Sequence, residues 1–210
     1  MPVTDTQRAY ELIRVKIITT QMPPGAVIHE GDLMAELGLG RTPIREALKL
    51  LEAQRLVSVS PRRGMFVAPI NLADLGEIEE MRSVLDPLSV RLAAARIMPA
   101  ELAELTEIVR QAGPAGRAGD VDALLELDRR YHRLLAIATR NDLLRNEMEM
   151  LYDLSNRIWY YYVDKLDPAD VAFDALEEIV DALSRRDSVA AELAMKRHIW
   201  RFGESIKRCL

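Results

Sequence analysis

From residue 4 to 20 the apolar residues Leu12, Ile13, Val15, Ile17 and Ile18 recur at mainly helical spacing, and Met22-Pro23-Pro24-Gly25 stops the run, which predicts an opening helix. After a short apolar stretch at Val27-Ile28, a two-turn helix is expected over 31–37, broken by Gly38-Leu39-Gly40. A third helix opens near Arg41. Pro43 is tolerated in its first turn, because the backbone N–H that proline lacks has no intrahelical partner there. Its apolar face is Ile44, Ala47, Leu48 and Leu51. Leu56-Val57-Ser58-Val59 and Met65-Phe66-Val67-Ala68 are strand-like, and Ser60-Pro61-Arg62-Arg63-Gly64 between them makes a β-hairpin. Helix, helix, turn, helix, hairpin is the order of a winged helix-turn-helix.

Pro69-Ile70-Asn71 closes that unit, and Asn71 is suited to cap the next helix. Leu72, Leu75, Ile78, Leu85, Leu88 and Leu92 then predict a long amphipathic helix with a kink at Pro87. Further helices are expected over 100–111, 121–139, 142–164, 168–185 and 188–208, with 113–120 as the clearest loop. No strand pattern interrupts them. The expected fold is therefore mainly α: a winged helix-turn-helix with a β-hairpin wing over 1–70, and an all-α antiparallel helical bundle over 71–210.

Composition narrows the class of partner. With 49% hydrophobic and 29% charged residues, no apolar run approaches the roughly 18–20 residues that a membrane span needs. The first residues lack the basic head and apolar stretch of a signal peptide, so a cytoplasmic location is expected. Cys209 is the single cysteine, which excludes an intramolecular disulfide and a thiolate metal cluster. The net charge of −5 seems to disfavour a polyanion, but residues 1–68 hold nine Lys/Arg against seven acids, so the negative excess lies wholly in the remainder.

Chemistry concentrates at two places. In the first, Arg41, Thr42 and Arg45 fall in the opening turns of a helix that comes after a tight turn. There arginine can pair with guanine O6/N7 in a major groove, and threonine can meet a phosphate or a thymine methyl. Arg62, Arg63 and Gly64 sit at the hairpin tip, where cations reach phosphates or the minor groove and glycine permits a turn of positive φ. A solvated helix face would hold the same residues. The ordered combination of turn, helix and basic wing favours DNA.

In the second, Val121, Leu124, Leu125, Asp128, Tyr131, His132 and Leu135 share a helix face, aiming an ionisable pair one turn apart into the bundle. His198 shares a face with Met195 and Phe202, and Arg82 and Arg157 could each offer a fork to a carboxylate. From spacing alone two readings stand: an ion or ligand site, or a local Asp128–His132 pair beside a satisfied core histidine. In Trp159-Tyr160-Tyr161-Tyr162 the aromatics cannot all face one way, and core packing is the simpler expectation for Trp159.

The stretch ELGLGRTPIREALKLLEAQRLVSVSPRRGMFVAPI resembles the DNA-binding domain of the GntR family of bacterial regulators, and the helical remainder resembles the FCD effector domain of its FadR-like subfamily. The resemblance implies operator contacts by Arg41, Thr42, Arg45 and Gly64, supported by Arg62 and Arg63. It also implies homodimers on palindromic double-stranded operators. FCD domains often bind a divalent metal such as zinc through an aspartate, a histidine one turn later and two further histidines. Asp128, His132 and His198 match three of these positions, while Leu176 stands at the fourth and cannot ligate. A metal-free pocket for a small organic acid, built from Arg82, Arg157, Asp128, His132 and His198, is the companion expectation. His29, in the other half, is read as incidental.

A non-enzymatic regulator is thus expected. The alternative, a metal-dependent hydrolase around Asp128, His132 and His198, lacks a candidate nucleophile, a glycine-rich phosphate loop and a HExxH motif, and leaves the N-terminal half without a role. A constitutive DNA-binding protein with a purely structural body is a third reading.

Overall fold

The structure, a computed structural model, describes residues 3–118, 120–162 and 174–208, and within these all side chains but those of Leu72, Arg117, Val121, Asp122, Asp174 and Ala175. The expected end of one helix at 163–164, the start of the next at 168–173, and Cys209 lie outside the described residues. The chain divides into two compact units: Met1–Asp74 with Asp153–Tyr161, and Leu75–Tyr152 with Tyr162–Leu210.

The first unit opens with α1 (Asp5–Ile18), started by a capping box in which the Thr4 hydroxyl accepts from the Gln7 amide and the Gln7 side chain accepts from the Thr4 amide. Ala9, Ile13 and Ile17, four residues apart, are buried against α3, whereas Leu12 and Val15 are exposed. Then come β1 (Val27–Ile28), α2 (Glu30–Leu37), α3 (Arg41–Ala53), β2 (Val57–Ser60) and β3 (Gly64–Val67). The expected hairpin is present, with Ser60 opposite Gly64, and β1 adds a third antiparallel strand on the far edge of β3, giving the order β1-β3-β2. Gly38 ends α2 at φ +64°, a left-handed conformation that glycine adopts without a Cβ penalty, and its N–H closes on the Met34 carbonyl. Ile44, Ala47, Leu48 and Leu51 of α3 are buried with Leu33, Leu56 and Val67 in the core of this unit.

The second unit is helical throughout its described residues: α4 (Leu72–Arg96, from Leu75 on), α5 (Pro99–Ala118), α6 (Val121–Ala138), the first part of α7 (Asp142–Tyr162), α8 (Asp174–Ser184) and α9 (Ser188–Lys207). α5 packs on α6 and α8, and α8 on α9. Val90, Leu105, Ile108, Tyr131, Leu135, Leu176, Ile179 and Met195 lie in their shared core. The expected loop over 113–120 is a correction: α5 runs on through Pro114 to Ala118, because Ala112 and Ala115 turn inward against the core and hold the segment helical. Pro87 likewise sits inside α4. Among the described residues, no helix is long and apolar enough to cross a membrane.

Candidate functional site

Arg41 and Thr42 occupy the first turn of α3, with Arg45 one turn on, and all three side chains are exposed, while Ile44 and Leu48 of the same helix are buried. The N-cap is Gly40, which has no side chain to bond the first-turn amides, so those N–H groups stay open to an anion. Arg45 Nε lies 3.3 Å from Glu30 Oε1. An exposed pair of this kind is worth roughly 0–1 kcal/mol and does not tie the guanidinium down. At the β2–β3 turn Arg62 and Arg63 are exposed; Arg62 has φ +66° and Gly64 φ +102°, and the Arg63 guanidinium sits 5.8 Å from the centroid of the Phe66 ring. The six sequence-selected residues thus fall on two exposed basic elements of one small unit.

In the second unit, Asp128 and His132 project from α6 toward His198 of α9. His132 Nε2 is 3.5 Å from Asp128 Oδ1, and the rings of His132 and His198 are 5.5 Å apart. Tyr152 of α7, absent from the sequence expectation, donates its hydroxyl to Asp128 Oδ2 at 2.7 Å and packs its ring 4.8 Å from that of His132. Burial raises the Asp128 carboxyl, but the two histidines and the Tyr152 hydroxyl outweigh it and hold its pKa at about 2. Burial is also the main influence on His198; with His132, Arg82 and Arg201 it overrides the attraction of Asp128 and lowers the imidazole to about 3, so His198 is neutral at pH 7. Arg82 is buried on α4 and already paired: its Nε donates to Asp86 Oδ2 at 2.9 Å, its Nη2 lies 2.9 Å from the same oxygen, and its guanidinium lies 5.5 Å from the Phe202 ring centroid.

Tyr152 and Asp86 were legible only in part. Asp86 stands four residues after Arg82, the spacing of a helical ion pair, and Tyr152 comes after Leu144, Met148 and Leu151 on the buried face of α7. Neither pattern says which distant side chain is met. Arg157 is not part of this cluster. It belongs to the first unit, where its Nη2 donates to the Ala68 carbonyl, its buried Nε has no hydrogen-bond partner, and burial, partly offset by Asp74, lowers its pKa to about 10. Trp159, also in the first unit, is buried and packs edge-on to Tyr160, as core packing requires. His29 forms the N-cap of α2 without a side-chain cap bond.

The donor set does not fit a resident divalent metal. Leu176, which the resemblance sets at the fourth ligand position, is a fully buried core residue without a donor atom in its side chain, and its carbonyl accepts from the Tyr131 hydroxyl at 3.4 Å. Tyr152 occupies one oxygen of Asp128, and among the described residues no group of three or more His, Cys, Asp or Glu is disposed to hold a metal ion.

Comparison with known proteins matches residues 5–67 to the bacterial regulatory proteins of the gntR family and residues 77–201 to the FCD domain. The HTH-type transcriptional repressor RspR of Escherichia coli K12 is 27% identical over 202 residues, covering 96% of this chain and 89% of its own. The HTH-type transcriptional regulator McbR of the same organism is 29% identical over 157 residues, covering 71% of this chain and 68% of its own. The solved structure of E. coli McbR/YncC shares the fold over 99% of both chains, with a TM-score of 0.88 at 22% identity. None of these matches supports the hydrolase alternative. A basic helix-turn-helix with its wing, joined in one chain to a helical FCD domain, makes this protein a member of the GntR family of bacterial transcriptional regulators, of the FCD-containing kind.

Proposed function

We propose that Arg41, Thr42 and Arg45 read base edges and phosphates of a palindromic operator, with Arg62 and Arg63 clamping the backbone beside it and Gly64 shaping the wing. The observation that carries this is the exposed first turn of α3, with uncapped amides and two arginines, set on a rigid buried face. The protein acts as a homodimer in the cytoplasm, one first-turn reading surface per half-site.

The Asp128, His132, His198 and Tyr152 cluster, with Arg82, is proposed as the effector pocket. It is a metal-free site for a small carboxylate-type molecule, which would compete with Asp86 for the Arg82 fork and accept or donate hydrogen bonds at the neutral His198. Control requires the effector to bind the operator-bound and free forms with different affinity. The Arg157 guanidinium, committed to Ala68, plays no part in this reading.

Operator fragments selected from genomic DNA and titrated by fluorescence anisotropy test the first claim. Arg41→Ala/Arg45→Ala is expected to keep the circular dichroism of the parent and to lose roughly 2–6 kcal/mol of specific binding, at about 1–3 kcal/mol for each base-reading arginine. Unchanged affinity and selectivity in a folded double variant would overturn it.

A further inference from the structure

In the first unit β3 is the middle strand of the small sheet, and Phe66 on it stands opposite Val27 of β1 on one side and Ser58 of β2 on the other. Side chains alternate along a strand, so Met65 and Val67 share one face of the sheet and Phe66 lies on the other. Met65 and Val67 pack into the core of the unit, with Val67 fully buried. Phe66 therefore faces away from that core, in a row with Ser58 and with Val27, which is 49% exposed. A sheet with one packed and one wet face calls for a polar side chain at such a position. Here it holds a large ring, and the Arg63 guanidinium lies over that ring, 5.8 Å from its centroid.

The backbone of Arg63 is fixed as well. Its N–H donates to the Ser60 carbonyl at 3.1 Å, which closes the turn, and Ser60 pairs with Gly64 across the hairpin. Arg63 is thus held at its main chain by the turn and at its guanidinium by the ring. A long side chain loses rotamer freedom when a ligand pins it, and a ring that already holds it removes part of that loss. A guanidinium meets an aromatic ring with its face, while its five N–H groups lie in its plane and stay available to phosphate oxygens. Ring and phosphate can be engaged together.

We infer that Phe66 is a positioning residue for DNA binding: its ring holds the Arg63 guanidinium at the wing tip, prepared to meet a backbone phosphate. This role rests on the reading of Arg63 as a backbone clamp, and Phe66 acts on DNA only through that arginine.

An operator fragment selected from genomic DNA and a scrambled duplex of the same length, each titrated with the full chain by fluorescence anisotropy, test it. Phe66→Leu keeps apolar bulk but removes the ring face. It is expected to unfold in urea near the parent's midpoint, because the ring stands off the core, and to bind both duplexes about two- to tenfold more weakly. Phe66→Tyr keeps the ring face and is expected to bind as the parent does. In an Arg63→Ala background, Phe66→Leu is expected to cost nothing further, a coupling that a merely structural ring would not produce. Arg63→Ala binding both duplexes as tightly as the parent would remove the clamp reading itself. Where Arg63→Ala does weaken binding, three results would each remove only the positioning role: no loss in Phe66→Leu, the same loss with and without Arg63, or Phe66→Tyr as weak as Phe66→Leu.

Discussion

His198 shows how an environment, rather than an identity, sets a residue's chemistry. A free imidazole gains its proton near pH 6.5, but this one, enclosed with His132, Asp128, Arg82 and Arg201, does so only at about 3. Between those values the unfolded chain binds a proton that the folded chain refuses. Its stability contribution is therefore complete above about pH 6.5 and is lost as the pH falls toward 3. Asp128, held at about 2 against an ordinary 3.8, adds a loss in the lower window as the pH drops through those values. Urea denaturation between pH 8 and pH 5 is expected to show the protein losing on the order of 1–2 kcal/mol from the His198 contribution, and His198→Gln to flatten that part of the profile. Equal slopes in the two proteins would show that His198 titrates freely.

Between elements, the decisive contact is the one joining α1 to residues 153–161 of α7 within the first unit. Arg14 and Asp153 are both buried and meet in a bidentate pair, Nε to Oδ2 at 2.5 Å and Nη2 to Oδ1, while the Tyr10 hydroxyl beside them donates to Gln54 at 2.7 Å. Burial alone would lower the Arg14 pKa, and Asp153 more than reverses this, so the guanidinium stays charged. Removing one partner leaves the other charge buried without compensation. Asp153→Ala is expected to cost about 3–5 kcal/mol by chemical denaturation, and Arg14→Met/Asp153→Leu to recover much of it, since a packed apolar pair tolerates the same space. A double variant as weak as the single one would show that the ion pair itself, not the avoidance of an orphan charge, sustains the packing. Neither residue announces this in the sequence. They stand 139 positions apart, and Arg14 counts there only as one more cation near a DNA-binding helix.

For the whole molecule, a chain of net charge −5 binds a polyanion because its charges are segregated: the positive excess lies in the first 68 residues. Operator affinity should then fall steeply with salt, with a slope of about −0.9 per phosphate contacted. Arg62→Ala/Arg63→Ala is expected to make that slope shallower while leaving base preference nearly intact, whereas changing Arg41 or Arg45 alters preference as well. Anisotropy titrations from 50 to 300 mM salt on operator and scrambled duplex would separate the roles. A wing variant with the parent's slope would mean that the wing stays clear of the backbone.

What the sequence determined by itself was whatever depends on near neighbours. The buried side of α3 comes from the spacing of Ile44, Ala47, Leu48 and Leu51, the turn before it from Gly38 and Gly40, and the exposed cations of α3 and the wing from their place beside those features. The family resemblance came from the same local run. Tertiary structure alone decided the pairing of β1 with β3, the persistence of α5 through Pro114, the Tyr152 hydroxyl on Asp128, the placement of Arg157 in the first unit and the Arg14–Asp153 pair. Periodicity reports which face of an element turns inward, but not what it meets there. Partners separated by tens of residues are chosen by how helices pack, and that choice is written in the summed shape and charge of many side chains rather than in any short motif.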